Sequence, residues 1–326
     1  MLQVVLEAPG RFAEREAPVV KAPAGCALIR IKKVGVCGSD FHAFFGRHPI
    51  YTYPRIVGHE LAGVVVEAPA NDKGIQAGDR CAIEPYVSCG KCRACLRGRT
   101  NCCEKIQVLG VHVDGGMQEF LAVPVELLHK STRLSLDQLA LVETLGIGAH
   151  AVRRSGLKAG EEALVVGAGP IGISAAQFAA ATGAKVHMIE KSELRRAFVE
   201  RMGIECSAAA DGRQADVVFD ATGSAEVMAG SLAHVATGGT LVFVGLTRDP
   251  VCLDDGLFHR KEVTLMASRN SCGLFPQIMQ LIEEGKIDTT HWITDRMKLS
   301  EVVSQFQELT TRKSLIKAMV DVGEAG

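Results

Sequence analysis

Over the first 150 residues the apolar positions fall in short runs broken by Gly and Pro. Segments 27–36, 61–67, 80–84 and 120–123 are β-rich and bounded by turn residues, which predicts strands and a β-dominated half. From about Leu157 the pattern changes. Strand-like runs at 163–166, 185–190, 216–220, 240–244 and 263–267 follow, with helical stretches at 170–181 and 193–202 between the first of them. Such alternation predicts a parallel, doubly wound α/β sheet. A helix is expected at 275–284, and the tail 288–322 is mixed. The longest apolar run, 163–181, has the hydropathy of a membrane span. Gly167, Gly169, Pro170 and Gly172 break its first half, so it is predicted as strand, tight turn and helix.

At 326 residues the chain exceeds one comfortable core, and a prior of ~150 residues per domain predicts two domains. With 47% hydrophobic and 22% charged residues it is a folded globular chain rather than a disordered one. Acidic and basic residues nearly cancel, leaving a net charge of −1. No broad attraction to nucleic acid or an anionic membrane is expected, and a small-molecule substrate is the better expectation. Eleven cysteines, an odd number with several crowded together, fit metal ligation in a reducing compartment better than a disulfide framework. The stretch 1–21 carries charged residues and no apolar secretion segment, so a cytoplasmic location is expected.

That crowding is in segment 89–103. Cys89, Cys92 and Cys95 stand at intervals of three, and Cys102 and Cys103 follow. Four thiolates meeting there suit a closed tetrahedral zinc site, and Lys91, Arg93, Arg97 and Arg99 offset their charge. Cys-x₂-Cys-x₂-Cys runs also serve iron–sulfur clusters, and spacing alone leaves Cys102 and Cys103 in competition for the fourth place.

A second, mixed donor set comes from Cys37, just after an apolar strand, and His59 and Glu60, just before another. Thiolate, imidazole and carboxylate with one open position define a catalytic rather than structural zinc, acting as a Lewis acid on an alcohol oxygen. Taken singly each residue is weak evidence. Their combination carries the reading.

Gly167, Gly169 and Gly172 form Gly-x-Gly-x-x-Gly directly after a hydrophobic strand, with Pro170 and Ile171 opening the helix that follows. These glycines let the backbone approach a pyrophosphate, and the helix N-terminus supplies free N–H donors. Glu190, 23 residues after Gly167, ends the next strand, where a carboxylate accepts from an adenosine ribose. It also repels a 2′-phosphate, which favours NAD over NADP, although Lys191, Arg195 and Arg196 lie close by.

With these residues in hand, the chain resembles the zinc-containing medium-chain dehydrogenases, particularly the polyol, threonine and sugar-acid branch. Gly35-Val-Cys-Gly-Ser-Asp, Gly58-His-Glu, the cysteine lobe, Val142-Glu143-Thr and Val166-Gly-Ala-Gly-Pro-Ile-Gly occur in the family's order nearly end to end. The resemblance implies a GroES-like catalytic domain over 1–148 and 288–326 and a Rossmann domain over 149–287. It implies Cys37, His59 and Glu60 near a catalytic zinc, and Cys89, Cys92, Cys95 and Cys103 around a structural one. Glu143 matches a position held by cysteine in the simple-alcohol branch, and both direct and water-mediated ligation stay open. Asp40 matches an acid that orients the zinc-bound imidazole. Ser39 and His42 match a relay carrying the alcohol proton towards solvent by way of the cofactor ribose. Thr222, Gly223, Val244 and Arg269 fall where the family lines its nicotinamide pocket. A homodimer or homotetramer is the implied assembly.

One segment departs from that pattern. Only twelve residues separate Gly203 from the strand at Asp216, too few for a strand and the usual crossover helix, so the edge strand near 206–209 is expected to be short or irregular. A non-catalytic binding module and a zinc-free reductase compete with the enzyme reading, and complete donor sets at both positions argue against the reductase. Glu143 in place of cysteine favours a polyol or sugar acid over threonine or a simple secondary alcohol. Arg47, His48 and Arg269 tilt the choice towards a carboxylate-bearing substrate, against the plainer readings of a solvated Arg47 and a cofactor-serving Arg269.

Overall fold

The computed structural model describes residues 1–323; the last three positions of the predicted 288–326 segment lie outside the described residues. Its chain divides into two compact units: Met1–Glu143 with Phe275–Glu283 and Thr289–Gly326, and Thr144–Leu274 with Glu284–Asp288. Among the described residues no helix is long and apolar enough to cross a membrane.

The first unit is built on a seven-stranded sheet. Its organising strand is Cys26–Val36, with Ala27, Ile29, Ile31, Val34 and Val36 in the core. It pairs antiparallel with Glu60–Glu67 and Phe120–Pro124. The C-terminal strand Lys317–Asp321 pairs with it too, antiparallel, Ala318 opposite Val36. That pairing lays Lys317, 257 residues distant from Glu60 in the chain, beside the strand start where Glu60 faces Gly35. The short helix Gly38–Phe44 follows the organising strand at once. An aromatic cluster anchors it: the Phe306 ring lies 4.9 Å from Phe12, 5.2 Å from Phe41 and 5.3 Å from Phe44. Such contacts add to simple area burial.

Helix Phe275–Glu283 groups with the first unit, whereas the sequence reading counted it with the second. The physical reason is its amphipathic pattern. Phe275, Ile278, Met279 and Ile282 are buried, the Phe275 ring packs 5.0 Å from His129, and the Glu283 carboxylate accepts from Ser131 at 2.8 Å. Sequence periodicity locates such a helix and its apolar face but not the surface that covers it. The boundary at 143/144 falls inside helix Leu136–Ser155, as does the expected boundary at 148/149.

The second unit carries a six-stranded, wholly parallel sheet in the order Glu205–Ser207, Lys185–Ile189, Glu162–Val166, Ala215–Asp220, Val235–Phe243, Thr264–Ala267. Numbered along the chain this is 3-2-1-4-5-6, the Rossmann order. The apolar run at 163–181 resolves into the strand Glu162–Val166 and the helix Pro170–Ala181. The edge strand Glu205–Ser207 is three residues long, and the chain crosses to Ala215 without a helix. The expectation of a shortened edge follows from that missing length.

Candidate functional site

In the first unit the donor atoms of Cys37, His59 and Glu60 all lie within 4.8 Å of one another. Local structure places each. Cys37 ends the organising strand and precedes the helix Gly38–Phe44, and its N–H donates to the Asp40 carboxylate at 2.9 Å. Asp40 is fully buried and sets one oxygen 3.8 Å from His59 Nδ1, beside the imidazole as an orienting carboxylate stands. Ser39 is half-buried on that helix and His42 is exposed near its end. Gly35 is required here because a Cβ would fall 2.0 Å from a Glu60 carboxylate oxygen.

Glu60 stands in the donor group and is also held by a counter-charge. Both its oxygens accept from Lys317 Nζ, at 2.6 and 2.7 Å, and Lys317 also donates to Val36 O at 3.2 Å. Glu143, buried at 4% exposure, receives the phenol O–H of Tyr86. Tyr51 O–H donates to Asp40 at 3.4 Å. The sequence reading missed Lys317, Tyr86 and Tyr51. For Tyr86 the only local signal was its place three residues before Cys89; for Lys317 there was none, since it is a lone lysine ahead of an apolar strand.

The electrostatics fit a divalent cation. Asp40, Glu60 and Glu143 are buried together with Lys317 as the one buried ammonium beside them, so carboxylates outnumber their counter-charge. Burial pushes the Asp40 carboxyl up, against the pull of the His59 charge. The same holds for Glu143, where burial raises the pKa and His59 offsets part of the rise. Burial disfavours the His59 imidazolium, yet the Cys37 and Asp40 charges outweigh it and hold its pKa well above the usual histidine range. A dication relieves this excess negative charge and takes up the thiol and imidazole donors in one step.

The second donor set is Cys89, Cys92, Cys95 and Cys103, whose sulfurs also lie within 4.8 Å of one another; Cys102 stands outside the group. Backbone N–H groups of Cys89 and Lys105 point at Cys103 Sγ, both at 3.3 Å. N–H groups of Cys95 and Glu104 bring the Cys92 thiol down to about 6, which makes it a thiolate at neutral pH. Structural zinc supplies folding energy outright. Cys95→Ser is therefore expected to lose about one zinc per chain and to lower the thermal midpoint by ~5 °C or more, checked by metal analysis alongside a thermal melt. Unchanged zinc content would refute the assignment of this quartet.

In the second unit Gly167 has φ of 97°, and a Cβ on Gly172 would lie 1.9 Å from Gly167 O. Gly169 caps the helix and Pro170 opens it, with Ile171 behind. Glu190 holds this turn: one carboxylate oxygen accepts from Ala168 N–H at 2.8 Å, the other from Ser192 N–H at 2.7 Å. A cavity of about 520 Å³ lies against it, lined by Gly167, Glu190, Lys191, Asp211, Thr222 and His234 among others. Arg196 is occupied with the carbonyls of Glu190 and Lys191. Arg195, Val244 and Arg269 do not line this cavity. In the first unit Arg47 stacks over Phe45 at 5.1 Å and the His48 ring packs 4.7 Å from Tyr51.

A parallel Rossmann sheet behind a glycine-rich turn, together with a β-rich unit bearing one closed and one mixed metal-donor set, defines a metal-dependent, dinucleotide-linked oxidoreductase class. The comparisons with known proteins make that class specific. Residues 23–133 match the model of the alcohol dehydrogenase GroES-like domain and residues 170–284 that of the zinc-binding dehydrogenases, and the chain belongs to this family of medium-chain dehydrogenases. It is 40% identical to L-galactonate-5-dehydrogenase of Escherichia coli K12, over 90% of this chain and 91% of that one. It is 31% identical to D-altritol 5-dehydrogenase of Agrobacterium fabrum, over 94% and 96%. Among solved structures, an Escherichia coli CFT073 alcohol dehydrogenase complexed with NADH superposes with a TM-score of 0.91 at 25% identity, covering 98% of this chain and 99% of that one.

Proposed function

We propose that the protein oxidises a secondary hydroxyl of a sugar acid, at the carbon numbered 5, with zinc in the mixed site and NAD as hydride acceptor. The observation that carries this reading is the oxygen-rich character of the mixed site, where the Glu60 carboxylate stands with Cys37 and His59 and the buried Glu143, outside that donor group, acts on His59 and Glu60 by its charge. A buried acceptor of this kind pairs with neighbouring substrate hydroxyls as a sulfur donor does not. The names of two relatives, one acting on a sugar acid and one on a polyol, share oxidation at carbon 5, and the acid-using relative is the more similar.

In this reading the first unit is catalytic and the second binds the dinucleotide. Cys37, His59 and Glu60 would hold the catalytic zinc, with Glu143 contributing directly or through a water; Cys89, Cys92, Cys95 and Cys103 would hold the structural one. When bound, the zinc polarises the hydroxyl and the nicotinamide accepts the hydride. Asp40 fixes the His59 ring, and Ser39 accepts the departing proton while handing on its own, by way of the cofactor ribose, to the exposed His42 and solvent. Glu190 receives the ribose hydroxyls and repels a 2′-phosphate, while the backbone N–H groups at Gly169 to Gly172 face the pyrophosphate. We further read the protein as a cytoplasmic homodimer or homotetramer; for the location, an odd number of cysteines, eleven in all, suits metal ligation in a reducing compartment better than a disulfide framework.

The test is a panel of aldonates, alditols, threonine, butanediol and ethanol, each with NAD and with NADP, followed by reduced-cofactor absorbance. An aldonate with NAD is expected to give the highest kcat/KM, and ethanol to fall ~10⁴-fold or more below it. A neutral polyol in first place would remove the carboxylate from the reading, threonine would move the substrate to the amino-alcohol branch, and better use of NADP would overturn the role of Glu190.

A further inference from the structure

Tyr86 is not among the metal donors, yet it is placed with care. It lies on the two-residue strand Tyr86–Val87, opposite Val108, and the neighbouring Pro85 carbonyl accepts from Leu109 N–H at 3.0 Å. The backbone under the phenol is thus tied down on both sides. The side chain is 6% exposed, and its O–H meets Oε1 of Glu143, itself buried on the helix Leu136–Ser155. The charges of His59, Glu60 and Lys317 all act on that carboxylate.

A carboxylate has two oxygens and accepts through both. Beside a dication it can bind through one oxygen or both, and a partner on one of them favours the single bond. We propose that Tyr86 is a positioning residue of the mixed site: by committing Oε1 of Glu143, it leaves that carboxylate one oxygen for the metal side and so keeps a coordination position open for the substrate hydroxyl. The inference rests on the reading above that the mixed site holds the catalytic zinc. Glu60 shows the same device in a second form, since Lys317 occupies both its oxygens. Two carboxylates near one cation are therefore each restrained by a partner outside the donor set. An open site is what a catalytic zinc needs and a structural one lacks.

The experiment is Tyr86→Phe, which keeps the ring and its packing and removes only the hydroxyl, in the wild-type and Glu143→Ala backgrounds. Cobalt exchanged into the mixed site of the intact protein reports coordination number through its visible absorption, which weakens as a fifth ligand enters. In Tyr86→Phe the band is expected to weaken and kcat to fall about tenfold or more, the scale of one hydrogen bond to a charged group, with the melting curve unchanged. In the Glu143→Ala background the same substitution is expected to change neither the band nor kcat by more than about twofold, because its target is gone. An unchanged band and kcat in Tyr86→Phe would overturn the proposal, as would an equal effect in both backgrounds. Wild-type protein that takes up no cobalt beyond the four-cysteine site would instead remove the mixed-site reading itself, a result distinguishable from both.

Discussion

Cys37→Ser is expected to lower kcat by about 10³-fold while leaving NAD affinity unchanged. A Lewis acid at the reacting oxygen contributes several kcal/mol of transition-state stabilisation, and each ~1.4 kcal/mol is tenfold in rate. Serine is a poor substitute, because its hydroxyl stays protonated where a thiol ionises and it binds zinc weakly. NAD binding should survive, since the glycine turn, Glu190 and the adjoining cavity all belong to the second unit, whereas Cys37 belongs to the first. Steady-state turnover, cofactor fluorescence titration and zinc analysis on one preparation check all three parts. Turnover within about tenfold of wild type in a variant lacking the second zinc would show that Cys37 does not hold the catalytic ion.

Lys317→Met is the substitution expected to cost most in stability, about 3–5 kcal/mol. Lys317 and Glu60 have side-chain exposures of 2% and 1%, so removing the ammonium strands a carboxylate in the core. Glu60→Gln in the same chain is expected to recover most of that loss, because the unpaired charge rather than the missing contact is what costs. The sign with pH follows from the lysine. Burial alone lowers its pKa, but the Glu60 charge and hydrogen bonds together with the Cys37 and Glu143 charges more than reverse this and hold the folded-state value above the ordinary one. A raised lysine contributes its stability fully below the unfolded value of about 10.4 and loses it only as pH rises through the folded value. The gap between wild type and Lys317→Met should therefore persist through neutral pH and narrow as the lysine loses its proton in strong alkali. Urea denaturation across pH checks both statements, and a single variant as stable as wild type would refute the pair's role.

Arg47 lies against Phe45 and His48 against Tyr51, contacts that decide neither for nor against a carboxylate-bearing substrate. The sugar-acid preference therefore rests on the oxygen-rich mixed site and on likeness to the galactonate enzyme, and the substrate panel decides it.

The sequence by itself determined those features whose physical requirement is local. Gly167 and Gly172 are needed because a left-handed turn and a close backbone approach must occur within six residues, so the motif is legible without any fold around it. Cys89, Cys92 and Cys95 are legible for the same reason, since their spacing brings three sulfurs together on one turn of chain. The short edge at Glu205–Ser207 followed from counting residues, as too little chain remained for a crossover helix. Only the tertiary structure decided which charges meet. The Lys317–Glu60 pair exists because the last strand aligns antiparallel with Cys26–Val36, and the Tyr86–Glu143 contact because a two-residue strand meets a helix 57 residues further on. The choice between Cys102 and Cys103, and the grouping of helix Phe275–Glu283 with the first unit, were settled in the same way. Local backbone demands leave a pattern in the sequence, whereas a buried charge or phenol is chosen by a partner that only the folded chain brings within reach.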